Sequence, residues 1–338
     1  MSDNYPNEHE LAAAAEKMNR LRESLGKVLF GQEALIEQVL TCVLARGHVL
    51  LEGLPGLGKT ELVKGLAKAL SLETRRVQFT PDLLPGDITG NPVLQESADG
   101  RREFVFQHGP VFSNLLLADE INRASPKTQS ALLEAMQERR VTVLGNTHQL
   151  PDPFFVLATQ NPIELEGTYP LPEAQLDRFL FKLDVKRPDV ATLEMIVNGR
   201  ELGAEPEVDA VLDADELREL IALARRVYLP PVVASFIARL VDGTHRGQSQ
   251  AANALRIGAS PRAAIGLAAA AKARAVMMGR VNASYEDVQA VAVPVLAHRV
   301  LIDYDARLTG KTTTQVVRDL LTEVTPTGDR TPAALEPA

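Results

Sequence analysis

Apolar positions along the chain fall into two regimes. Leu11, Ala14, Met18, Leu21, Leu25 and Val28 recur at helical spacing and predict an amphipathic helix that must pack on something. Phe30-Gly31-Gln32 interrupts it. Leu35, Ile36, Val39, Leu40, Val43 and Leu44 then form the stripe of a second helix, with Gly47 expected as its C-terminal stop. Beyond this point short apolar runs of strand length (48–51, 75–80, 114–118, 154–159 and 179–185) alternate with helical stretches at 61–70 and from Ser125 to about Glu138. Ser125 suits the N-cap of the latter helix and Pro126 its first turn. Segment 81–91, rich in Pro, Gly and Asp, cannot be regular throughout. Residues 104–106 look strand-like, and 141–150 read as a β-hairpin turning at Gly145-Asn146. Alternation of this kind implies a mostly parallel sheet covered on both faces.

The second regime begins near Arg187-Pro188. Stretches 215–227, 231–242, 261–278 and 284–301 all carry helical patterns, and Pro294 is expected to kink the last. The chain thus divides into a loose end over 1–9, an α/β domain over 10–186, a small helical domain over 187–324 and a tail over 325–338. That tail, rich in Pro, Thr and Ala, is expected to be disordered.

One stretch carries specific chemistry. Gly53-Leu54-Pro55-Gly56-Leu57-Gly58-Lys59-Thr60 fits the pattern G-x-x-x-x-G-K-[ST], with an apolar strand before it and a helix beginning at Glu61 after it. Glycines let backbone N–H groups converge on phosphate oxygens, and the helix start adds its positive end. Residues 53–61 therefore predict a nucleoside triphosphate site, with Lys59 on the β- and γ-phosphates and the Thr60 hydroxyl on Mg²⁺. Asp119 closes an apolar strand, where open α/β sheets place their ligands, and can hold the metal. Glu120 beside it can orient and polarise water, which suits hydrolysis. Asn161, at the end of the next strand, either reaches the γ-phosphate or its attacking water, or forms a turn before Pro162. A second Gly-Lys-Thr at 310–312 has Asp at 305 and no strand ahead of it, so it reads as a helix start or loop.

Bulk properties narrow the partners. The 338 residues carry 44 acidic against 36 basic side chains, a net charge of −8, which argues against nonspecific nucleic-acid binding. The single Cys42 forms no intrachain disulfide, fits a reducing cytoplasm and reads as a small buried side chain. Six scattered His residues lack metal-ligand spacing. No secretory signal is visible, and no apolar run approaches the ~18 residues of a membrane span, so membrane insertion is not expected.

The phosphate loop, 115–120, 159–161 and Leu176-Asp177-Arg178-Phe179 together resemble the AAA+ ATPases. The fuller stretches 118–124, 127–138, 106–111 and 159–164 resemble the MoxR family within them, and the similarity spans roughly 15–305. The resemblance implies a P-loop αβα sandwich with a helical lid, ATP and Mg²⁺ as cofactors, and Asn161 as sensor of the γ-phosphate. It makes Arg178, otherwise an ordinary charged residue before a strand, an arginine finger reaching a neighbour's nucleotide. Arg262, in Ser260-Pro261-Arg262, matches the second sensor, and Gly31-Gln32 would lie near the adenine. Loops 82–102 and 141–150 resemble the helix-2 insert and hairpin of the subgroup that includes magnesium chelatase motors, and are expected to face the pore or the partner. The resemblance further implies a homo-oligomeric ring of six, a von Willebrand factor A domain partner, and chaperone-like assembly or activation of a client complex by metal or cofactor insertion. Arg178 stands alone where many relatives have a pair of arginines, Arg123 receives no role, and threading of unfolded polypeptide lacks its aromatic pore loop. The competing readings are a nucleic-acid motor, opposed by the acidic charge, and a nucleotide-gated scaffold without turnover. Glu120→Gln separates the scaffold from an ATPase.

Overall fold

Within a computed structural model that describes residues 5–54, 56–96, 102–162, 167–199 and 208–326, the chain divides by its contacts into two units. One is Glu16–Ile221; the other combines Met1–Ala15 with Ala222–Ala338. The division cuts α1 (Glu8–Gly26) and α8 (Ala214–Arg226), whereas the sequence pattern changes at 187. The difference has a local cause. The stretch after Pro188 packs on the α/β unit, with Thr192 against Gly31 and Gly199 against the Phe30 ring.

In the first unit α1 and α2 (Glu33–Leu44) precede β1 (Val49–Glu52) and α3 (Lys59–Ala69), followed by β2 (Thr74–Gln78) and a one-turn α4 (Pro85–Thr89). An antiparallel hairpin of β3 (Gly90–Glu96) and β4 (Arg102–His108) leads to β5 (Leu115–Asp119) and α5 (Pro126–Glu138). A second hairpin, β6 (Arg140–Val143) and β7 (Asn146–Gln149), precedes β8 (Phe155–Gln160), α6 (Glu173–Leu176), β9 (Phe181–Asp184) and α7 (Val190–Gly199). The apolar runs form one sheet, all neighbours parallel, in the order β2-β5-β8-β1-β9. Inner strands β5 and β8 are buried but for their last residues, the mark of a sheet covered on both faces. One face packs Leu50, Leu116, Ala118 and Val156 against Phe79, Leu132, Leu133 and Met136. In register, Glu52 stands beside Gln160 and Gln78 beside Asp119, so the polar ends of four strands meet at one edge. α1 buries Leu11, Ala14, Met18, Leu21 and Leu25, while Val28, the last of the expected stripe, is buried just beyond the helix end.

Several expectations change. Residues 5–9 are not loose: Asn7 and Glu10 cap α1 reciprocally at 2.8 Å, and the Tyr5 ring meets Tyr228 edge-on. Gly47 is no helix stop. α2 ends at Leu44 and the left-handed residue is Arg46, while a Cβ at Gly47 would collide with the Leu180 side chain. The β6–β7 turn falls at Leu144-Gly145, both at positive φ, because Val143 pairs with Asn146.

The second unit contains α9 (Pro231–Asp242), a short β10 (Leu255–Ile257), α10 (Pro261–Met277) and α11 (Tyr285–Leu296), followed by β11 (Leu301–Ile302), α12 (Tyr304–Leu308) and α13 (Thr313–Glu323). It is helical apart from the antiparallel β10–β11 pair, and α11, with Pro294 inside it, stops at Leu296 because the chain turns to supply β11. Thr312 of the second Gly-Lys-Thr is the N-cap of α13, its hydroxyl accepting from Gln315 N–H. Of the expected tail, Thr325 and Pro326 are held by Arg239, which donates to both carbonyls; 327–338 lie outside the described residues. Among the described residues, no helix is long and apolar enough to cross a membrane.

Candidate active site

A cavity of about 410 Å³ lies at the polar edge of the sheet, within the range of small-molecule sites. Its wall includes Gln32, Gly56, Leu57, Gly58, Lys59, Thr60, Glu61, Asp119, Glu120 and Asn161, which the sequence singled out from four separate stretches. Local sequence accounts for each placement. The apolar strand β1 drives straight into the sheet, the loop turns at Gly56 and Gly58 with φ of 80° and 83°, and α3 begins at Lys59. At those dihedrals a side chain is strained, so glycine leaves the amides free to converge. Pro55 lies outside the described residues. Leu54 is exposed, and the Gly53 carbonyl accepts a hydrogen bond from the Lys59 ammonium at 2.7 Å. Burial lowers the Lys59 pKa from its ordinary value, against the opposing charges of Asp119, Glu120 and Glu52.

The two carboxylates are held from several sides. Asp119 Oδ1 accepts from the Thr159 hydroxyl at 2.6 Å and Oδ2 from Arg76 at 2.7 Å. Glu120 has left-handed backbone (φ 56°, ψ 50°), and its N–H donates to Thr159 Oγ1 at 2.9 Å. For a residue with a Cβ this conformation costs energy. Its Oε2 accepts from Gln78 at 2.8 Å and Arg123 at 2.9 Å. Asn161 is buried, and its carbonyl accepts from Asn122 Nδ2 at 3.4 Å.

Sequence reasoning missed Arg76, Gln78 and Thr159 as neighbours of the carboxylates. Nothing in an isolated Arg-Arg-Val-Gln strand announces a partner; only the β2–β5 register brings Gln78 beside Asp119. It also missed the apolar side of the cavity: Val28, Leu29, Phe30, Pro188 and Ile196. Gln32 lines the cavity and donates to Leu57 O at 3.4 Å, while Gly31 is not part of its wall and lies against Thr192. Arg178 is not in this cavity. It lines a second one of about 400 Å³ with Ser130, Glu134, Glu138, Arg140, Thr142 and Gln175, and its guanidinium has no hydrogen-bond or ion-pair partner among the described residues. Arg262 belongs to the second unit, on the first turn of α10.

A phosphate loop after the first sheet strand, an Asp-Glu pair ending another and an Asn ending a third define a P-loop nucleotide hydrolase. The comparisons with known proteins agree. Residues 48–181 match the ATPase family associated with various cellular activities (AAA), and 247–320 match the AAA lid domain. The chain is 42% identical to Chaperone MoxR1 of Mycobacterium tuberculosis over 300 residues, covering 88% of this chain and 78% of that one. It is 31% identical to Protein MoxR of Methylorubrum extorquens over 332 residues, covering 90% and 92% respectively. The crystal structure of a candidate ATPase from Cytophaga hutchinsonii superposes with a TM-score of 0.86 at 39% identity, over 94% of this chain and 97% of the other. The chain belongs to the MoxR family of AAA+ ATPases. It binds and hydrolyses ATP.

Proposed function

We propose that hydrolysis is Mg²⁺-dependent, runs on the residues gathered at the polar edge of the sheet, and drives chaperone-like assembly or activation of a client complex. The observation that carries the catalytic part is the convergence of Lys59, Thr60, Asp119, Glu120 and Asn161 on one cavity. In this reading residues 53–61 wrap the phosphates, with Lys59 on the β- and γ-groups. The Thr60 hydroxyl and Asp119 carboxylate would hold Mg²⁺, and such hard oxygen donors are the set this ion takes. When bound, Mg²⁺ neutralises phosphate charge. Glu120 orients the attacking water and draws its proton, with Gln78 and Arg123 fixing the carboxylate. Asn161 hydrogen-bonds the γ-phosphate or that water. Phe30, Ile196 and Gln32 offer the apolar and polar surface an adenine needs.

Arg178, outside its own chain's cavity and without a partner among the described residues, is read as the finger offered to a neighbouring copy. That makes the working form a homo-oligomer, a ring of six by family expectation. Arg262 is read as the second sensor, which tells the lid which nucleotide is bound. A von Willebrand factor A domain protein is the proposed partner and the cytoplasm the proposed location, the latter supported by a lone, buried cysteine.

Glu120→Gln tests the chemistry. It should retain ATP and assembly while turnover falls on the order of a hundredfold or more. Unchanged hydrolysis in this variant would remove Glu120 from the mechanism. The same variant, holding ATP, is the bait for client and partner; recovery of a von Willebrand factor A domain protein only with ATP supports that assignment, and recovery equal with and without ATP counts against it.

A further inference from the structure

Gln129 is fully buried on α5, yet it is polar. Its Nε2 lies 3.2 Å from Ile121 O, 3.2 Å from Ala124 O and 2.8 Å from Tyr169 O. An amide nitrogen carries two hydrogens, so three carbonyls share them. Its Oε1 has no hydrogen-bond partner among the described residues. An apolar side chain of similar size would fill the space without that desolvation cost. What the amide contributes is therefore the tie itself.

Two irregular segments meet at this tie. Ile121 and Ala124 bracket the turn that follows Glu120 and carries Arg123, the Glu120 partner. Tyr169 begins the segment that leads to Arg178, and its N–H returns to Asn122 O at 2.6 Å. The next residue of α5 holds the far end of the same segment: Ser130 Oγ accepts from Gln175 Nε2 at 3.2 Å, three positions before Arg178. Leu171, between these ties, and Leu176, just past the second, pack into the core that contains Leu132 and Leu133. Residues 169–178 thus hang from α5, as the Glu120 turn does.

We propose that Gln129 is a positioning residue that couples the Glu120 turn of one chain to the arginine it presents to its neighbour. The placement of the turn is carried through one buried amide to Tyr169 and on to Arg178. Loosening that amide in one chain therefore disturbs both its own site and the adjacent one. This rests on Arg178 acting in trans.

A complementation assay separates the two ideas. Arg178→Ala chains keep a nucleotide cavity but offer no finger, and Lys59→Ala chains offer a finger without holding phosphate. Mixing them should restore hydrolysis; if it does not, Arg178 does not act in trans and the coupling falls with it. Gln129→Met, which removes the amide and keeps the volume, is then placed in either chain. Turnover of the mixture should fall at least about fivefold from either side with KM for ATP changed less than about twofold, since alignment and not binding is lost. A merely local support of the catalytic turn lowers turnover only when the change is in the Arg178→Ala chain. Full activity with Gln129→Met in the Lys59→Ala chain overturns the coupling while leaving the trans finger standing. Should Gln129→Met not fold, Gln129→Leu takes its place: a donor-side loss of turnover supports the coupling, and unchanged donor-side turnover overturns it.

Discussion

His48 shows how much a single residue can hold. Its Nδ1 accepts the Val156 N–H at 3.0 Å, so the proton sits on Nε2, 3.2 Å from the Met136 carbonyl. The ring is buried where β1 begins, against Phe154. Burial, with help from Arg139, pushes its pKa down to about 3 against the opposing Met136 bond. The unfolded chain takes up this proton near 6.5, so His48's contribution is complete above that pH. It is lost progressively as pH falls from about 6.5 toward 3, with a slope of up to about 1.4 kcal/mol per pH unit. Urea midpoints measured from pH 7.5 to 5 should fall less steeply for His48→Gln than for the parent; parallel curves would count against this assignment. Gln78 acts at the same scale on the Glu120 carboxylate. Gln78→Ala removes one of two donors that aim Glu120, and kcat should drop between about tenfold and a hundredfold while KM for ATP holds steady. A raised KM with unchanged kcat would mean that Gln78 serves binding instead.

At the scale of elements, the close approach of α2's end to the strand β9 region decides what residue 47 can be. Gly47→Ala forces the Leu180 side chain and the Cys42 sulfur to give way, an overpacking that costs typically about 1–3 kcal/mol. Chemical denaturation of the variant checks this, and an unchanged midpoint would show that the strand yields freely. α5 is the element with most roles. Its N-cap Ser125 accepts from Thr128 N–H, its apolar face builds the core, and Gln129 and Ser130 carry the ties described above. Ser125→Ala should cost about 1 kcal/mol of stability, read from the same denaturation curves.

For the whole molecule, the separation of Arg178 from its own chain's cavity is the governing fact. Hydrolysis per chain should rise with protein concentration through the range where mass measurements report assembly. Arg178→Ala should lower turnover on the order of a thousandfold without preventing ATP binding. A rate per chain that stays constant in samples shown to be monomeric would rule out a shared site.

Short-range physics made the phosphate loop and its flanking strand and helix legible, because glycine spacing, an apolar run and a helical stripe are properties of neighbours in the chain. The same holds for Asp119 and Glu120 at a strand end, for the Ser125 cap and for the helical character of the second half. Arg76, Gln78 and Thr159 were illegible for the opposite reason. Their partners lie about 40 residues away, and only the β2-β5-β8 order and register set them side by side. The same is true of Gln129, whose amide finds its carbonyls only after two irregular segments fold over α5. Local pattern was enough to pick out the groups proposed for the chemistry. Which groups hold them in place emerges only on folding, because a hydrogen bond depends on distance in space and not on separation along the chain.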